Sequence, residues 1–254
     1  MSNNILLLDP KIYEVRFSGQ KYKSRQVKTV KDWCGDADLC FNLGLFNMQT
    51  GEGYTFVRNE DGDFGYGGKS EDVYVNALNG CRGYSDAIKF GNVIVNYPLG
   101  GKRTRNGIGV TIDGWPIIAQ SSHATYEQAF AKAVNEYVIK NGKKVKFFVL
   151  QDGGGSTSEW SNRSKLGFYP EGTRRVATVT CVYFRNLPPI TRNLSFGKRG
   201  DDVKILQIVL GGLEVDGIFG LGTRKRLMAA QKALGLKADG SCGPLTRRAL
   251  GIGG

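Results

Sequence analysis

Histidine is almost missing from this chain: His123 is the one imidazole in 254 residues. Zinc amidases and zinc peptidases usually draw two or more ligands from histidine, so this count disfavours that chemistry. A Ser–His or Cys–His nucleophile pair would have to use His123. That residue stands in the polar stretch SSHATYEQ, where it reads equally well as a surface histidine ahead of a helix. Cysteine is also scarce and badly spaced. Cys34, Cys40, Cys81, Cys181 and Cys242 form no CxxC pair and are odd in number, which disfavours a disulfide framework or a Cys/His zinc site. Reduced cysteines packed in the interior are expected instead. Long apolar runs are absent, none approaching the roughly 18 residues of a membrane span. The N-terminus, MSNNILLLDPKIYEV, has no basic stretch leading into a long apolar segment. The expectation is synthesis in the cytoplasm without a signal peptide and no membrane insertion.

What remains is a globular composition, 41% hydrophobic and 11% aromatic, with enough length for two domains. Thirty-five basic residues against 23 acidic ones give a formal charge of +12. Such an excess suits a polyanionic partner, for which nucleic acid and an anionic cell-wall polymer are the two candidates. The densest basic group, Arg224, Lys225, Arg226, Arg247 and Arg248, lies near the C-terminus. It reads as solvated helix faces as readily as a binding patch. No helix-turn-helix or aromatic-basic stacking pattern is present, which disfavours nucleic acid.

An internal repeat closes the chain. VDGIFGLGTRKRL and ADGSCGPLTRRAL share the frame DG-x-x-G-x-x-T-R, 23 residues apart. Each Asp-Gly supplies a tight turn, and each threonine falls in the first turn of a following helix. Between them Leu227, Ala230, Ala233 and Leu234 recur at helical spacing; before them Val203, Leu206, Gln207 and Leu210 do the same. The expectation is a small all-α domain of three helices. From FGKRGDDVKILQ to GPLTRRAL the segment resembles the peptidoglycan-binding domain of type 1. The resemblance implies a non-catalytic wall-binding module, with Asp216, Gly217, Phe219, Thr223, Asp239, Gly240 and Thr246 as its wall-binding positions. Ala230 departs from the family, which prefers an aromatic before the glutamine. Adjacent prolines in FRNLPPITRNLS read as a linker. The expected division is a domain over 1–187, a linker over 188–194 and the module over 195–254.

The first 187 residues alternate short β-prone runs with turns: DLCFNLGLFN, GYTFVRNEDGDFGYGG, KFGNVIVNYPL, GIGVTIDGWPIIAQ, VKFFVL and RRVATVTCVYFRN. One long helix is evident. Thr125 and Gln128 suit a capping box, Tyr126, Phe130, Ala133, Val134, Tyr137 and Val138 form its apolar stripe, and Asn141-Gly142 ends it. The fold class expected is α+β, strand-rich, with one main helix.

Directly after VKFFVL comes QDGGGSTSEW. A strand ending in the core would carry Asp152 to its C-terminal edge, where functional loops sit on a rigid scaffold. Gly153, Gly154 and Gly155 let backbone N–H groups approach an anion, and Ser156 and Thr157 add hydroxyls. A flexible Gly-Ser linker is the plainer alternative. The pattern lacks the lysine of a nucleotide P-loop.

Five landmarks in order resemble the phosphodiester glycosidase family: FNLGLF with Asn42 and Phe46, RNGIGVTIDG with Arg105, Gly109 and Asp113, the helix, LQDGGGS, and TRRVATV with Arg174 and Arg175. Gln151 intervenes between Leu150 and Asp152, and Asn106 stands where threonine is common. The resemblance implies cleavage at a sugar carrying an anionic group. Glycosidic cleavage usually takes a pair of carboxyls. Asp152 is the first candidate, Asp113 the second and Glu159 the third. Asp113 reads equally as a hairpin turn former. Arg105 and Arg174 or Arg175 suit phosphate or carboxylate clamping through the guanidinium fork, or else salt bridges at the core's edge. Asn42 is either a sugar ligand or a buried strand amide.

The leading expectation is a cell-wall hydrolase cutting glycan strands, tethered by its C-terminal module and resembling a phage endolysin released through a holin. The alternative is a phosphodiester glycosidase acting on teichoic acid or another sugar-1-phosphate polymer. From another class comes a non-catalytic wall-binding protein. No cofactor is indicated. Lone aspartates and carbonyls can hold calcium without any spacing rule, and nothing in the sequence specifies an oligomeric state.

Overall fold

The computed structural model describes residues 3–19, 25–44, 48–50, 57–59, 62–64, 85–95, 101–169 and 174–253. Phe46 and Cys81 lie outside them. In chain order the strands are β1 (Asn3–Leu7), β2 (Tyr13–Gly19), β3 (Leu39–Asn42), β4 (Val57–Asn59), β5 (Gly62–Phe64), β6 (Ser85–Lys89), β7 (Asn92–Val93), β8 (Asn106–Thr111), β9 (Pro116–Ser121), β10 (Val145–Gln151), β11 (Glu159–Ser161), β12 (Leu166–Phe168) and β13 (Thr178–Phe184). The helices are α1 (Val30–Cys34), α2 (Glu127–Lys140), α3 (Asp201–Leu210), α4 (Leu221–Ala233) and α5 (Pro244–Leu250). The class is α+β with a strand-rich N-terminal part, as the sequence implies.

Two antiparallel sheets carry that part. The six-stranded sheet runs β1-β9-β8-β10-β6-β7, the five-stranded sheet β12-β11-β3-β13-β2, and β4 pairs with β5 separately. Alternation along each strand decides which layer a residue fills. Leu39, Phe41, Phe17 and Val182 from the five-stranded sheet meet Leu6, Ile108, Ile118 and Val149 from the six-stranded one. The opposite faces are covered by helices. Phe130, Ala131, Val134 and Val138 of α2 pack on Phe148 and Leu150, and α1 packs on Cys40, Val179 and Cys181. Strand β10 is thus apolar on both faces from Phe147 to Leu150, which explains the hydrophobic run there.

Helix α2 ends at Lys140 with Asn141 as its C-cap, as predicted, but its start differs. Tyr126 is the N-cap, its side chain makes no capping bond, and its ring is exposed. The expected Thr125 cap fails because Thr125 is held in an isolated bridge with Arg103 one residue too early. Four cysteines, Cys34, Cys40, Cys181 and Cys242, are free and buried. Cys40 and Cys181 face each other across β3 and β13 with sulfurs 3.1 Å apart.

The C-terminal helices do not trail from a loose linker. Ile190 and Leu194 are buried with Val203, Leu206, Phe219, Leu227 and Leu250, and Leu194 bridges to Cys242. Ile208 and Val215 join the cluster between the two sheets. Tyr137 of α2 donates to the Val215 carbonyl at 2.9 Å, and Ser161 and Ser164 donate to the carbonyls of Val209 and Leu210 at 2.8 and 3.0 Å. Among the described residues no helix is long and apolar enough to cross a membrane.

Candidate active site at the end of the tenth strand

Strand β10 pairs antiparallel with β8, Gln151 opposite Asn106 and Val145 opposite Thr111. Asp152 follows directly, and its N–H donates to the Leu43 carbonyl at 3.0 Å. The chain then folds into a short 3-10 turn over Gly154–Ser156. Thr104 fastens this turn from the segment just before β8. Its carbonyl accepts the Gly154 N–H and its hydroxyl donates to the Gly154 carbonyl, both at 2.8 Å. A Cβ on Gly153 would stand 2.5 Å from that same Thr104 carbonyl, so the approach needs glycine.

Asn42 is the other fastening point. Its Nδ2 donates to the Asp152 carbonyl at 2.7 Å, while its Oδ1 accepts from the Ser158 N–H and from Gln120 Nε2, each at 3.0 Å. Asn106 Nδ2 donates to the Asn42 carbonyl at 2.5 Å. Asn42 is fully buried, and both ends of its amide are spent on holding the loop. The duller of its two sequence readings describes the geometry. Buried polar groups that satisfy one another in this way fix a single loop conformation.

The convergent groups are Asp152, Ser156 and Arg174. The Ser156 hydroxyl and the Arg174 guanidinium both act to favour the ionised form of the Asp152 carboxyl. Arg174 Nη1 donates to Ser156 Oγ at 3.4 Å. A Cβ on Gly155 would meet Arg174 Nη2 at 2.8 Å, so the guanidinium lies across the glycine turn. Burial pushes Asp152 up to about 6, against the downward pull of Ser156 and Arg174. The carboxyl therefore titrates close to neutral pH, which equips it for proton transfer. Thr157 is buried beside it and its hydroxyl has no hydrogen-bond partner.

The other expected site residues lie elsewhere. Asp113 sits in the β8–β9 turn, beyond Thr111 at the far end of β8, roughly 20 Å from Asp152 at strand rise. Lys143 and, less strongly, Thr111 hold its carboxyl below the usual range. It is a turn former and ion-pair partner, and cannot be the second carboxyl of a pair with Asp152. Glu159 is fully buried under the C-terminal helices, where Asn4 Nδ2 donates to it at 2.7 Å and the Gly212 N–H at 3.0 Å. Arg105 is buried against Glu127 at 3.3 Å, the two side chains 4% and 2% exposed, and donates to the carbonyls of Gly101 and Thr125. Its guanidinium is occupied inside the fold. Arg175 is exposed. Thr104, Gln120 and Ser158, which shape the loop, carry no sequence signal beyond their polarity within β-prone or glycine-rich runs.

The expected wall-binding residues are tied into the two repeated turns, with Asp216 and Asp239 exposed. Gln207 Nε2 donates to Asp216 Oδ1 at 2.7 Å and reaches Thr223 Oγ1 at 3.2 Å, and its Oε1 accepts the Gly217 N–H at 2.9 Å. Gln231 repeats the pattern on Asp239 at 2.9 Å, Thr246 at 3.1 Å and Gly240 at 2.9 Å. Phe219 is completely buried. The DG-x-x-G-x-x-T frame therefore records two copies of a turn closed around a buried glutamine, and a buried phenylalanine cannot meet a polymer. Among the described residues no group of three or more His, Cys, Asp or Glu is placed to hold a metal ion.

Comparison with known proteins finds likenesses in sequence and in fold. Residues 199–250 match the family described as "Putative peptidoglycan binding domain". A 56-residue segment is 52% identical to the N-acetylmuramoyl-L-alanine amidase CwlM of Mycobacterium tuberculosis. The match covers 20% of this chain and 14% of that protein, so the chain spans a small part of its curated relative. Among solved structures, the catalytic domain of zebrafish N-acetylglucosamine-1-phosphodiester alpha-N-acetylglucosaminidase, auto-inhibited by its pro-peptide, superposes with a TM-score of 0.51. That match has 16% identity and covers 72% of this chain and 83% of the other. A hypothetical protein from Synechocystis gives a TM-score of 0.47 at 12% identity, over 72% of this chain and 57% of the other. The chain thus carries a C-terminal segment that matches the peptidoglycan-binding family model and a fold similar to that of a phosphodiester glycosidase catalytic domain.

Proposed function

We propose that this protein is a cell-wall hydrolase whose Asp152 site cleaves the bond between a sugar and a phosphate-bearing group in an anionic wall polymer. The observation that carries the reading is the convergence of Asp152, Ser156 and Arg174 on the glycine turn after β10. Support comes from the peptidoglycan-binding match, from the fold shared with a phosphodiester glycosidase and from the charge of +12.

The chemistry follows from the leaving group. A phosphate monoester leaves without being protonated first, so the bond to the anomeric carbon needs an activated water and a counter-charge for the departing oxygens. Ionised Asp152 takes the proton of the attacking water. As the water oxygen bonds to the anomeric carbon, the carbon–oxygen bond to phosphate breaks and its electron pair leaves on the phosphate. Arg174, the Ser156 hydroxyl and the Gly153 and Gly155 amides, which take no part in the turn's own hydrogen bonds, hold that charge. Arg175 is placed in the sequence to add to the clamp. Residues 195–254 act as the wall-binding module, 188–194 as the join and 1–187 as the catalytic part, and tethering raises the local concentration of substrate.

A second reading is cleavage of the glycan strand itself, by an endolysin-like enzyme reaching the wall through a holin. A carboxyl titrating near 6 also suits a general acid, which a sugar-hydroxyl leaving group requires. Mass spectrometry of soluble products decides between them, from peptidoglycan with and without its teichoic acid, treated with wild type and Asp152→Asn. Sugar or sugar phosphate released only from teichoic-acid-bearing wall supports the first reading. New reducing ends on muropeptides from both walls replace it with the second. No product from either wall leaves a binding protein.

A further inference from the structure

Three chain connections meet at the end of the six-stranded sheet that lies opposite Asp152. They are the β6–β7 turn at 89–92, the β8–β9 turn at 112–115, and the passage from α2 into β10 at 140–146. Strand β10 lies between β6 and β8, so the two turns flank it. The Phe90 N–H donates to the Lys146 carbonyl at 2.8 Å and the Ile112 N–H to the Lys144 carbonyl at 2.9 Å. The two tips are therefore held about 10 Å apart, two strand spacings, on either side of one strand.

Both tips present large apolar side chains to solvent. Phe90 is 60% exposed and Ile112 55%, and Ile139 in the last turn of α2 is 57% exposed. Around them stand Lys89, Lys140, Lys144 and Lys146, all exposed, with Lys143 stacked on the Trp115 ring at 3.9 Å. The three connections hold five lysines and one acid, Asp113, which Lys143 already engages. Phe90 also adopts φ 48, a left-handed conformation that costs a bulky residue and that glycine or asparagine would take without strain. An exposed phenylalanine is kept where the backbone favours something smaller.

We propose that this end of the molecule docks on an anionic lipid bilayer, with Phe90 and Ile112 entering the headgroup boundary and the lysines meeting lipid phosphates. Basic residues ringing exposed apolar tips match the requirements of an interfacial contact, in which lysine stems lie along apolar surface while the ammonium stays at the charged layer. A soluble polyanion would be satisfied by the lysines alone and gives no use for Phe90 and Ile112. Because this surface and the Asp152 loop occupy opposite ends of β8 and β10, docking leaves the candidate active site facing away from the bilayer.

The test uses the full chain and sedimentation with vesicles of phosphatidylcholine alone or mixed equally with phosphatidylglycerol. Binding is expected to the mixed vesicles only, and to weaken with added salt. Phe90→Gly with Ile112→Ser should weaken it by roughly tenfold or more, as should Lys144→Glu with Lys146→Glu. Phe90→Gly relieves the left-handed residue, so the melting temperature serves as a control for folding and should not fall. Absence of binding to mixed vesicles overturns the proposal. So does binding that the lysine variant loses but the Phe90/Ile112 variant retains in full, which would assign the surface to a wall polyanion.

Discussion

The Glu159 carboxylate accepts the N–H of Gly212 through both oxygens, at 3.0 and 3.1 Å, so that β11 of the strand-rich part and the loop after α3 share one buried charge site. No space remains above it, since a Cβ on Gly211 would stand 2.0 Å from Glu159 Oε1. Arg226 closes the same seam, donating to the carbonyls of Gly211 at 3.0 Å and Gly167 at 3.1 Å. The C-terminal helices are therefore seated on the strand-rich part by polar contacts as well as by Ile208 and Val215.

That seat should be pH-dependent. Burial lifts the Glu159 carboxyl from 4.5 to about 7, with Arg226, the Gly212 amide and Asn4 pulling the other way. Between those values the folded protein keeps a proton that the unfolded chain has released. The associated stability is complete below about pH 4.5 and is lost as pH rises through about 7. Glu159→Gln removes this dependence. In thermal melts from pH 4.5 to 7.5, wild type should lose more stability than the variant, and parallel curves would refute the assignment.

Asp152 gives the proposed reaction its pH profile. With the carboxyl at about 6, a general base is active when ionised, so release of sugar phosphate from wall should rise through pH 6 and level off above it. Asp152→Asn should lower the rate by about 10²–10⁴ with unchanged melting behaviour at low pH. A rate that falls above pH 6 would instead identify Asp152 as a general acid and favour glycan-strand cleavage.

Arg174 separates charge from shape. Arg174→Ala should reduce turnover on a phosphate-linked substrate by about 10²–10³, the range for removing one donor at a developing oxyanion. Arg174→Lys should recover part of that loss, since it keeps the charge without the fork. Its exposure predicts little effect on stability. Equal turnover by all three proteins would show that the guanidinium does not meet the leaving group.

The two buried glutamines carry a stability prediction. Gln207→Ala leaves the buried Gly217 N–H and Thr223 hydroxyl short of a partner, and Gln231→Ala does the same to the Gly240 N–H and Thr246 hydroxyl, while the exposed Asp216 and Asp239 pass to water. Each change should cost about 1–3 kcal/mol, the penalty for leaving a buried polar group unmet. Chemical denaturation followed by circular dichroism checks it, and a loss under 1 kcal/mol would mean that water or a shifted turn replaces the amide.

How far these features could be read beforehand depends on their range along the chain. Helix α2 and strand β10 announce themselves through local periodicity, and the repeated DG-x-x-G-x-x-T frame marks two like turns. The function of that frame is less legible. Conserving a turn and contacting a ligand use the same residue types, and only the geometry at Gln207 and Gln231 separates them. Strands β11 and β12 were not legible because they are three residues each, and β1 and β2 because they owe their pairing to distant partners, as Asn3–Leu7 does to β9. Arg105 looks like a clamp until Glu127, 22 positions on, arrives beside it. Arg226 belongs to a basic cluster in sequence, yet its carbonyl partner Gly167 lies 59 positions away.

The glycine turn itself offers the most local test, because its members are restrained by different neighbours. Gly153→Ala would push a Cβ to within 2.5 Å of the Thr104 carbonyl, a backbone atom fixed in place by its bond from Gly154. The turn must then shift, so activity and melting temperature should fall together. Gly155→Ala meets only the tip of the Arg174 side chain, at 2.8 Å. A flexible guanidinium can swing aside, which should leave the melting temperature near wild type while turnover drops toward that of Arg174→Ala. Measuring both quantities for both variants separates the turn's two jobs. If Gly155→Ala keeps full turnover, Arg174 does not need its place across the glycine turn, and the charge clamp must be built from other groups.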